Sequence, residues 1–169
     1  MPLSQITLPQ TVSKALLAGV GAMACITLLS SLQGLSQPLL WLMAPFGATM
    51  VILFALPQSP LARPRSILFG HLLTSATGIA VMTVLGVSPW SLGFAVGLSV
   101  ALMMLTGTTH PPAGANPIVV MLAGESWWFL INPVLTGALT ILLFGWLYHR
   151  GISRQAWPVS GMSRPSRVR

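Results

Sequence analysis

Very few side chains in this sequence could take part in acid–base chemistry. Three histidines, His71, His110 and His149, and one acidic residue, Glu125, stand in a chain of 169 residues. His110 is the strongest candidate, because an ionisable group inside an apolar protein is costly unless it has a partner or a function. It could bind an anion or carry a proton near neutral pH. It could equally be a neutral ring that holds its loop by bonding a free backbone carbonyl.

The segment around His110 interrupts a long apolar sequence. Residues 108–115 read Thr-Thr-His-Pro-Pro-Ala-Gly-Ala, and Pro111 and Pro112 remove two backbone donors and prevent a helix across His110. Gly114 allows another group to approach the chain closely. Because non-helical backbone inside a bilayer has to face protein or water, this break predicts a buried or functional site.

The composition predicts an all-α integral membrane protein. Hydrophobic residues make up 54% of the chain and charged residues 5%, which is too few to cover an ordinary soluble surface. Several uncharged stretches approach the roughly 20 residues that a spanning helix needs. We expect one transmembrane domain over residues 14–148, a cytoplasmic segment over 1–13 and a basic, flexible cytoplasmic tail over 149–169. The uncharged stretches are 15–35, 39–56, 67–87, 90–105, 113–124 and 127–148.

The basic residues orient the chain in the membrane. They lie before the first stretch, between the second and third, and after the last, and the positive-inside rule makes all three places cytoplasmic. Six crossings satisfy that rule, with both termini inside a bacterial inner membrane. In a four-helix alternative the second and fifth stretches are re-entrant, which would leave Arg63 and Arg65 outside. The net charge of +7 therefore requires no nucleic acid partner.

The sequence matches itself at an offset of 67 residues. Three residues of the first break then coincide with three of the second, and later serines and glycines coincide as well. Each half, residues 14–80 and 81–148, would hold three crossings, so the second half is inverted relative to the first, as in many transporters. The coinciding pairs are Pro45 and Pro112, Gly47 and Gly114, Ala48 and Ala115, Ser59 and Ser126, and Gly70 and Gly137.

The two breaks open short helices from opposite sides of the membrane. Free N–H groups at a helix start, with the positive end of the helix behind them, bind anions. We expect His71, early in the third crossing, to lie near His110 as an interhelical partner or a ligand. Thr49 and Asn116 follow the two breaks and could cap the helices or touch the ligand. The predicted backbone donors are Gly47, Ala48, Thr49, Gly114, Ala115 and Asn116.

Some classes of function lack the residues they require. The sequence has no phosphate-binding Gly-x-x-x-x-Gly-Lys-Ser/Thr motif, no aspartate and no pair of carboxylates, and its single cysteine, Cys25, cannot form an internal disulfide. We therefore expect no ATP-driven motor, metal site, cofactor or paired-acid enzyme. A membrane enzyme built from this chain would have to use histidines and hydroxyl groups.

The residues from Ala44 to Arg65, the Gly70-His71 pair and the His-Pro-Pro-Ala-Gly-Ala run resemble the HPP family of integral membrane proteins. That family is usually described with four transmembrane helices, and some members are associated with nitrite transport. The resemblance implies passage of a small anion. The matching motif residues are Pro45, Gly47, Ala48, Ser59, Pro60, Gly70, His71, His110, Pro111, Pro112, Gly114 and Ala115.

We predict a transporter or channel for a small monovalent anion, with nitrite preferred and the substrate site between the two breaks. Coupling to protons through His71 or His110 and assembly into a homo-oligomer are both compatible with the sequence. The rival hypothesis is a structural or sensory membrane module without transport activity, in which the breaks only allow the helices to pack.

Overall fold

The computed structural model describes residues 8–35 and 40–158, with side chains from residue 11 onward. Every regular element in those ranges is helical, as the composition predicts. Four of the helical segments are long and apolar enough to cross a membrane, so the chain is a multi-helix membrane protein. The four candidate spans are Thr11–Leu35, Pro64–Leu85, Pro89–Thr106 and Trp127–Ser153.

The long helices begin and end close to the predicted stretches. Helix α1 covers Leu8–Leu35, so residues 8–13 are continuous with the first helix. Helices α3 (Pro64–Leu85) and α4 (Pro89–Thr106) both begin at a proline, whose missing N–H costs nothing at the first helical position. Helix α6 (Thr136–Tyr148) is extended at both ends by the π-helical turns Ile131–Leu135 and His149–Ser153.

Two short helices lie between the long ones. Helix α2 covers Ala44–Met50 and continues as the π-helical segment Val51–Ala55. Helix α5 covers Asn116–Ala123 and follows a 3-10 turn over Pro111–Ala115. At 1.5 Å per residue, α2 with its continuation is about 18 Å long, which is shorter than the hydrocarbon core of a bilayer. In the two breaks Pro45 and Pro112 are buried, whereas Ala48 and Ala115 are exposed.

Helix α2 runs in the same direction as α6. At its start, the Leu40 N–H donates to Asn132 Oδ1 at 2.6 Å, just before α6 begins. At its end, His149 Nε2 lies 2.9 Å from the Leu53 carbonyl oxygen, just after α6 ends. The chain after α2 has therefore moved to the opposite end of the domain, where Tyr148 also donates to Leu17 near the start of α1.

Basic residues gather at that same end of the domain. Lys14 shares the lining of one surface pocket with Pro57 and Gln155. Arg65, at the start of α3, donates from Nη2 to the Thr106 carbonyl oxygen at 2.9 Å. A cation is favourable there, because Thr106 ends α4 and the C-terminus of a helix carries partial negative charge.

The segment after α6 packs against the domain. Trp157 is 7% exposed and donates from Nε1 to the Ala62 carbonyl oxygen at 2.8 Å. Gln58 bonds the carbonyl of Ala156, and His149 is fully buried. The prediction of a flexible tail from residue 149 does not hold for residues 149–157, because side-chain partners distant in sequence hold them. Residues 159–169 lie outside the described residues.

Glycines let the two halves of the chain approach closely. A Cβ atom added at Gly70 would lie 3.1 Å from the Thr108 carbonyl oxygen, and one added at Gly137 would lie 3.0 Å from the Trp41 carbonyl oxygen. Farther along, Gly78 packs on Val120 and Gly145 packs on Leu53. Gly70 and Gly137 are 67 residues apart, and so are the residues they contact, Thr108 and Trp41. The same spacing separates Gly78 from Gly145 and Val120 from Leu53.

Local turns also recur at this spacing. Ser59 begins a 3-10 turn in which the Ala62 N–H donates to the Ser59 carbonyl oxygen at 3.0 Å. Ser126 begins another, in which the Phe129 N–H donates to the Ser126 carbonyl oxygen at 2.9 Å. The same residue type thus starts the same kind of turn before α3 and before the α6 segment.

Substitution of Gly78 tests this packing. In Gly78→Ala, the new Cβ would lie 2.5 Å from Val120 Cγ2 and 2.7 Å from Pro117 Cα, so backbone has to move. We expect a loss of about 1–3 kcal/mol in stability, typical of overpacking, measured by thermal unfolding in detergent. Gly97→Ala is the control, because an added Cβ there has no atom within 4 Å. Equal melting temperatures for the two variants would contradict the packing.

Candidate functional site

The two breaks share one local geometry. His110 has extended backbone, with φ −140° and ψ 99°, and the Ala113 N–H donates to its carbonyl oxygen at 2.9 Å. Met43 is also extended, and the Phe46 N–H donates to its carbonyl oxygen at 3.0 Å. A proline follows within two residues in each case, which fixes the helical start. The two breaks therefore have the same kind of proline-initiated helix start.

His110 is fully buried and bonded at both ring nitrogens. Its Nδ1 lies 2.9 Å from the Leu61 carbonyl oxygen, and its Nε2 lies 2.9 Å from Thr49 Oγ1. Gly70 makes room for it, since an added Cβ would lie 3.0 Å from His110 Cβ. The ring does hold a backbone carbonyl, as one sequence hypothesis proposed, but that carbonyl belongs to a neighbouring segment.

His71 approaches the same threonine from α3. It lies seven residues after the helix start at Pro64, about 10 Å along the axis, and is fully buried. Its Nε2 lies 3.0 Å from Thr49 Oγ1, and its ring centroid lies 5.1 Å from that of His110. Asn116 Nδ2 completes the set at 3.0 Å from His71 Nδ1. We call these four residues the histidine cluster.

The cluster can carry only one positive charge at modest cost. With an effective dielectric constant of about 20, two unit charges at the 5.1 Å spacing of the rings repel by roughly 3 kcal/mol. In the described part of the chain no carboxylate bonds either ring, and the one acidic residue, Glu125, follows α5 at its far end. A small anion is the natural partner for such a group once it is protonated.

A cavity of about 590 Å³, open to the surface of the domain, lies between the two breaks. Apolar side chains from both breaks line it, while Thr49 and Asn116 directly follow two of the lining residues and point away into the histidine cluster. The structure thus places the two breaks on either side of one opening. The lining residues related by the 67-residue offset are Ala44 and Pro111, Pro45 and Pro112, Ala48 and Ala115, and Ile52 and Val119.

Most of the predicted backbone N–H donors already form hydrogen bonds within the helical segments. The Asn116 N–H donates to the Ala113 carbonyl oxygen. Ala48 and Thr49 are the fifth and sixth residues of α2, where N–H groups pair inside the helix, and Gly114 and Ala115 lie within the 3-10 turn. The expectation of free N–H groups at Ala48, Thr49 and Asn116 is wrong, because proline starts each helix earlier than the glycine suggested. Gly47 remains within the first helical turn.

Sequence reasoning missed the Leu61 carbonyl as a partner of His110. The Ser59-Pro60 pair is the signal that could have indicated it. Ser59 accepts the Leu61 N–H on its side-chain oxygen at 3.2 Å, and Pro60 starts the turn, so the Leu61 carbonyl is turned toward the His110 ring. Among the described residues, no group of three or more His, Cys, Asp or Glu side chains could hold a metal ion.

Comparison with known sequences decides the family. The profile of the HPP transmembrane region matches residues 7–158, nearly the whole chain. The chain belongs to the HPP family. The histidine cluster therefore includes the His-Pro-Pro histidine that the resemblance identified.

Two curated relatives are transmembrane proteins of Dictyostelium discoideum. One is 30% identical over 151 residues, which is 85% of this chain and 53% of the relative. The other is 29% identical over 128 residues, which is 71% of this chain and 41% of the relative. This HPP chain thus spans about half the length of the curated relatives that it matches. No solved structure matches it.

Asn116→Leu tests whether the cluster is held together by its hydrogen bonds. The substitution leaves His71 Nδ1 and the His71 carbonyl oxygen, both bonded by Asn116 Nδ2, buried without that donor. We expect a loss of about 1–3 kcal/mol, seen as a lower melting temperature in detergent. Ser75→Ala on α3, the helix of His71, is the control, because the Ser75 hydroxyl is buried with no hydrogen-bond partner among the described residues. An unchanged Asn116→Leu protein would contradict the assignment.

Proposed function

We propose that this protein moves a small monovalent anion, nitrite by preference, across a bacterial inner membrane. It acts as a transporter or channel and not as an enzyme. The observation that carries the proposal is the cavity between the two helix breaks, with the buried histidine cluster directly behind its wall. A pocket between broken helices near the middle of the membrane is where secondary transporters bind their substrates.

The chemistry of the cluster favours an anion over a cation. It offers two imidazoles, a hydroxyl group and an amide, with no carboxylate bonded to either ring in the described part. Lys14, Arg65 and Arg150 lie toward one end of the domain, where they would attract anions to the entrance. Nitrite is preferred because the family resemblance implies passage of a small anion of that kind.

The topology that we propose has six crossings arranged as two inverted halves. Support comes from the shared turns, the glycine contacts at a spacing of 67 residues and the position of the basic residues at one end. Helix α2 and helix α5, each too short to span alone, would cross together with the extended segments before them. The end that holds Lys14 and Arg65 would be cytoplasmic.

Cysteine labelling tests this topology. In a Cys25→Ala background, Gln58→Cys and Glu125→Cys probe two positions separated by 67 residues. We expect a membrane-impermeant maleimide to label position 125 in intact cells and position 58 only after the inner face is exposed. Labelling of both positions from the outside would indicate the four-helix alternative, because two re-entrant segments place both loops on that side.

Flux through the cavity tests the function. Purified protein in liposomes should give saturable nitrite flux, compared with nitrate, formate and chloride. Ala115→Trp places an indole in the lining and should lower the flux at least tenfold. Val84→Trp is the control, because Val84 is 78% exposed and lies outside the lining.

The same assay separates the rival functions. No saturable flux of any of the four anions would favour a structural or sensory module. A chemically altered substrate, detected by analysis of the liposome contents, would favour a membrane enzyme. Equal flux through Ala115→Trp and Val84→Trp would move the pathway away from this cavity.

A further inference from the structure

We infer that Thr49 joins His110 and His71 into a site that binds a single proton, at Nε2 of His110. The role of this proton in transport rests on the proposed function, whereas the binding site itself does not.

The Leu61 carbonyl oxygen fixes the first hydrogen. A carbonyl oxygen can only accept, so His110 Nδ1, 2.9 Å away, must carry a hydrogen and donate it. In the neutral ring, His110 Nε2 is then bare and accepts. Its partner, 2.9 Å away, is the Thr49 hydroxyl, which must donate. His110 is therefore the Nδ1–H tautomer.

The Asn116 amide and the Thr49 hydroxyl together fix the opposite tautomer at His71. Its Nδ2 lies 3.0 Å from the His71 carbonyl oxygen, so the amide nitrogen and not the amide oxygen has to be on that side. The same nitrogen lies 3.0 Å from His71 Nδ1, which accepts its second hydrogen. Asn116 Oδ1 also lies 3.3 Å from His71 Nδ1, but the one hydrogen of the Thr49 hydroxyl is already donated to His110. In the neutral ring, His71 Nε2 therefore carries the hydrogen and donates it to Thr49 Oγ1 at 3.0 Å.

The Thr49 hydroxyl has a second acceptor within reach. Its hydroxyl also lies 3.3 Å from the Pro45 carbonyl oxygen, one turn earlier in α2. When a proton binds His110 Nε2, the hydroxyl can rotate to donate to Pro45 and accept from both histidines. No heavy atom has to move. A proton on His71 Nδ1 instead would face the Asn116 amide nitrogen, itself a donor, at 3.0 Å, and its nearest acceptor, Asn116 Oδ1, lies farther away at 3.3 Å.

Few other charges act on this site. The elements packed around it are α2, the turn over Pro60–Ala62, α3, residues 108–110 and α5, and the titratable side chains that they direct into the cluster are the two histidines themselves. The charged residues on those elements within the described ranges are Arg63 and Arg65, at the start of α3, and Arg65 bonds Thr106. A single added proton therefore has no carboxylate to neutralise it, and an anion in the adjacent cavity would do so.

Nitrogen-15 NMR of histidine-labelled protein in bilayers tests the site without any transport measurement. At alkaline pH we expect the Nδ1–H tautomer at His110 and the Nε2–H tautomer at His71, with resonances assigned by His71→Gln and His149→Gln. His149 is the internal control, because its Nε2 donates to the Leu53 carbonyl oxygen. On acidification His110 alone of the cluster should become doubly protonated. The inference would be overturned if the two tautomers were reversed or if His71 were protonated at a higher pH than His110. It would also be overturned if neither ring of the cluster were protonated before the protein unfolds.

Thr49 variants separate a positioning role from simple packing. Thr49→Val keeps the shape but removes the oxygen that accepts from protonated His110, so the pH midpoint of the His110 resonance should fall by at least about one unit. Thr49→Ser restores the oxygen and should restore the midpoint. Equal midpoints in the valine and serine variants would contradict the role of the hydroxyl.

Transport then shows whether the proton is used. In liposomes, a pH gradient should drive nitrite uptake by the natural protein and not by Thr49→Val or by His110→Asn, which keeps a donor toward Leu61. Confirmed tautomers without flux of any anion would leave the proton site standing and remove the proposed function. Nitrite flux that does not depend on the pH gradient, together with reversed tautomers, would support the proposed function and overturn the proton site.

Discussion

Backbone polar groups inside a bilayer have no water to bond, and the structure depends on how the non-helical segment around His110 meets this constraint. The solution is the close approach to Gly70, where the Thr108 carbonyl oxygen and His110 Cβ lie where a side chain would otherwise stand. This approach buries the break against α3 and brings the His110 ring to Thr49 and to Leu61. Thr108 and His110 are thereby buried in the protein, and the histidine has partners at both ring nitrogens.

The glycine framework and the histidines follow different patterns. Glycines and turns recur at 67 residues, but position 138, which corresponds to His71, is alanine, and position 43, which corresponds to His110, is methionine. The two halves therefore supply similar packing and different chemistry. One histidine comes from each half, and both bond Thr49, so the polar centre is complete only when the halves are together.

The sequence was sufficient to predict the membrane class, the long helices and the break at His110, because hydrophobic length and proline act locally. It placed the start of α3 at residue 67, whereas the helix begins at Pro64, because counting uncharged residues excluded Arg65 from the stretch. The backbone donors were misjudged because glycine was taken as the helix start where proline already initiates pairing.

Other features depended on residues that lie far apart in the chain. The Leu61 carbonyl reaches His110 across 49 residues, and the Ala62 carbonyl reaches Trp157 across 95. Neither contact has a periodic signal, because each depends on how complete helices pack. For this reason the order of residues 149–157 could not be predicted from their basic and polar composition.

The glycine contacts between the two halves also set the order in which the chain can pack during synthesis. Gly70 and Gly78 pack on residues that follow α4, and His71 receives its amide partner 45 residues later in the chain. When the first three segments leave the ribosome, their tightest contacts and one buried ring are still without partners. These contacts can form only after the second half of the chain has been synthesised.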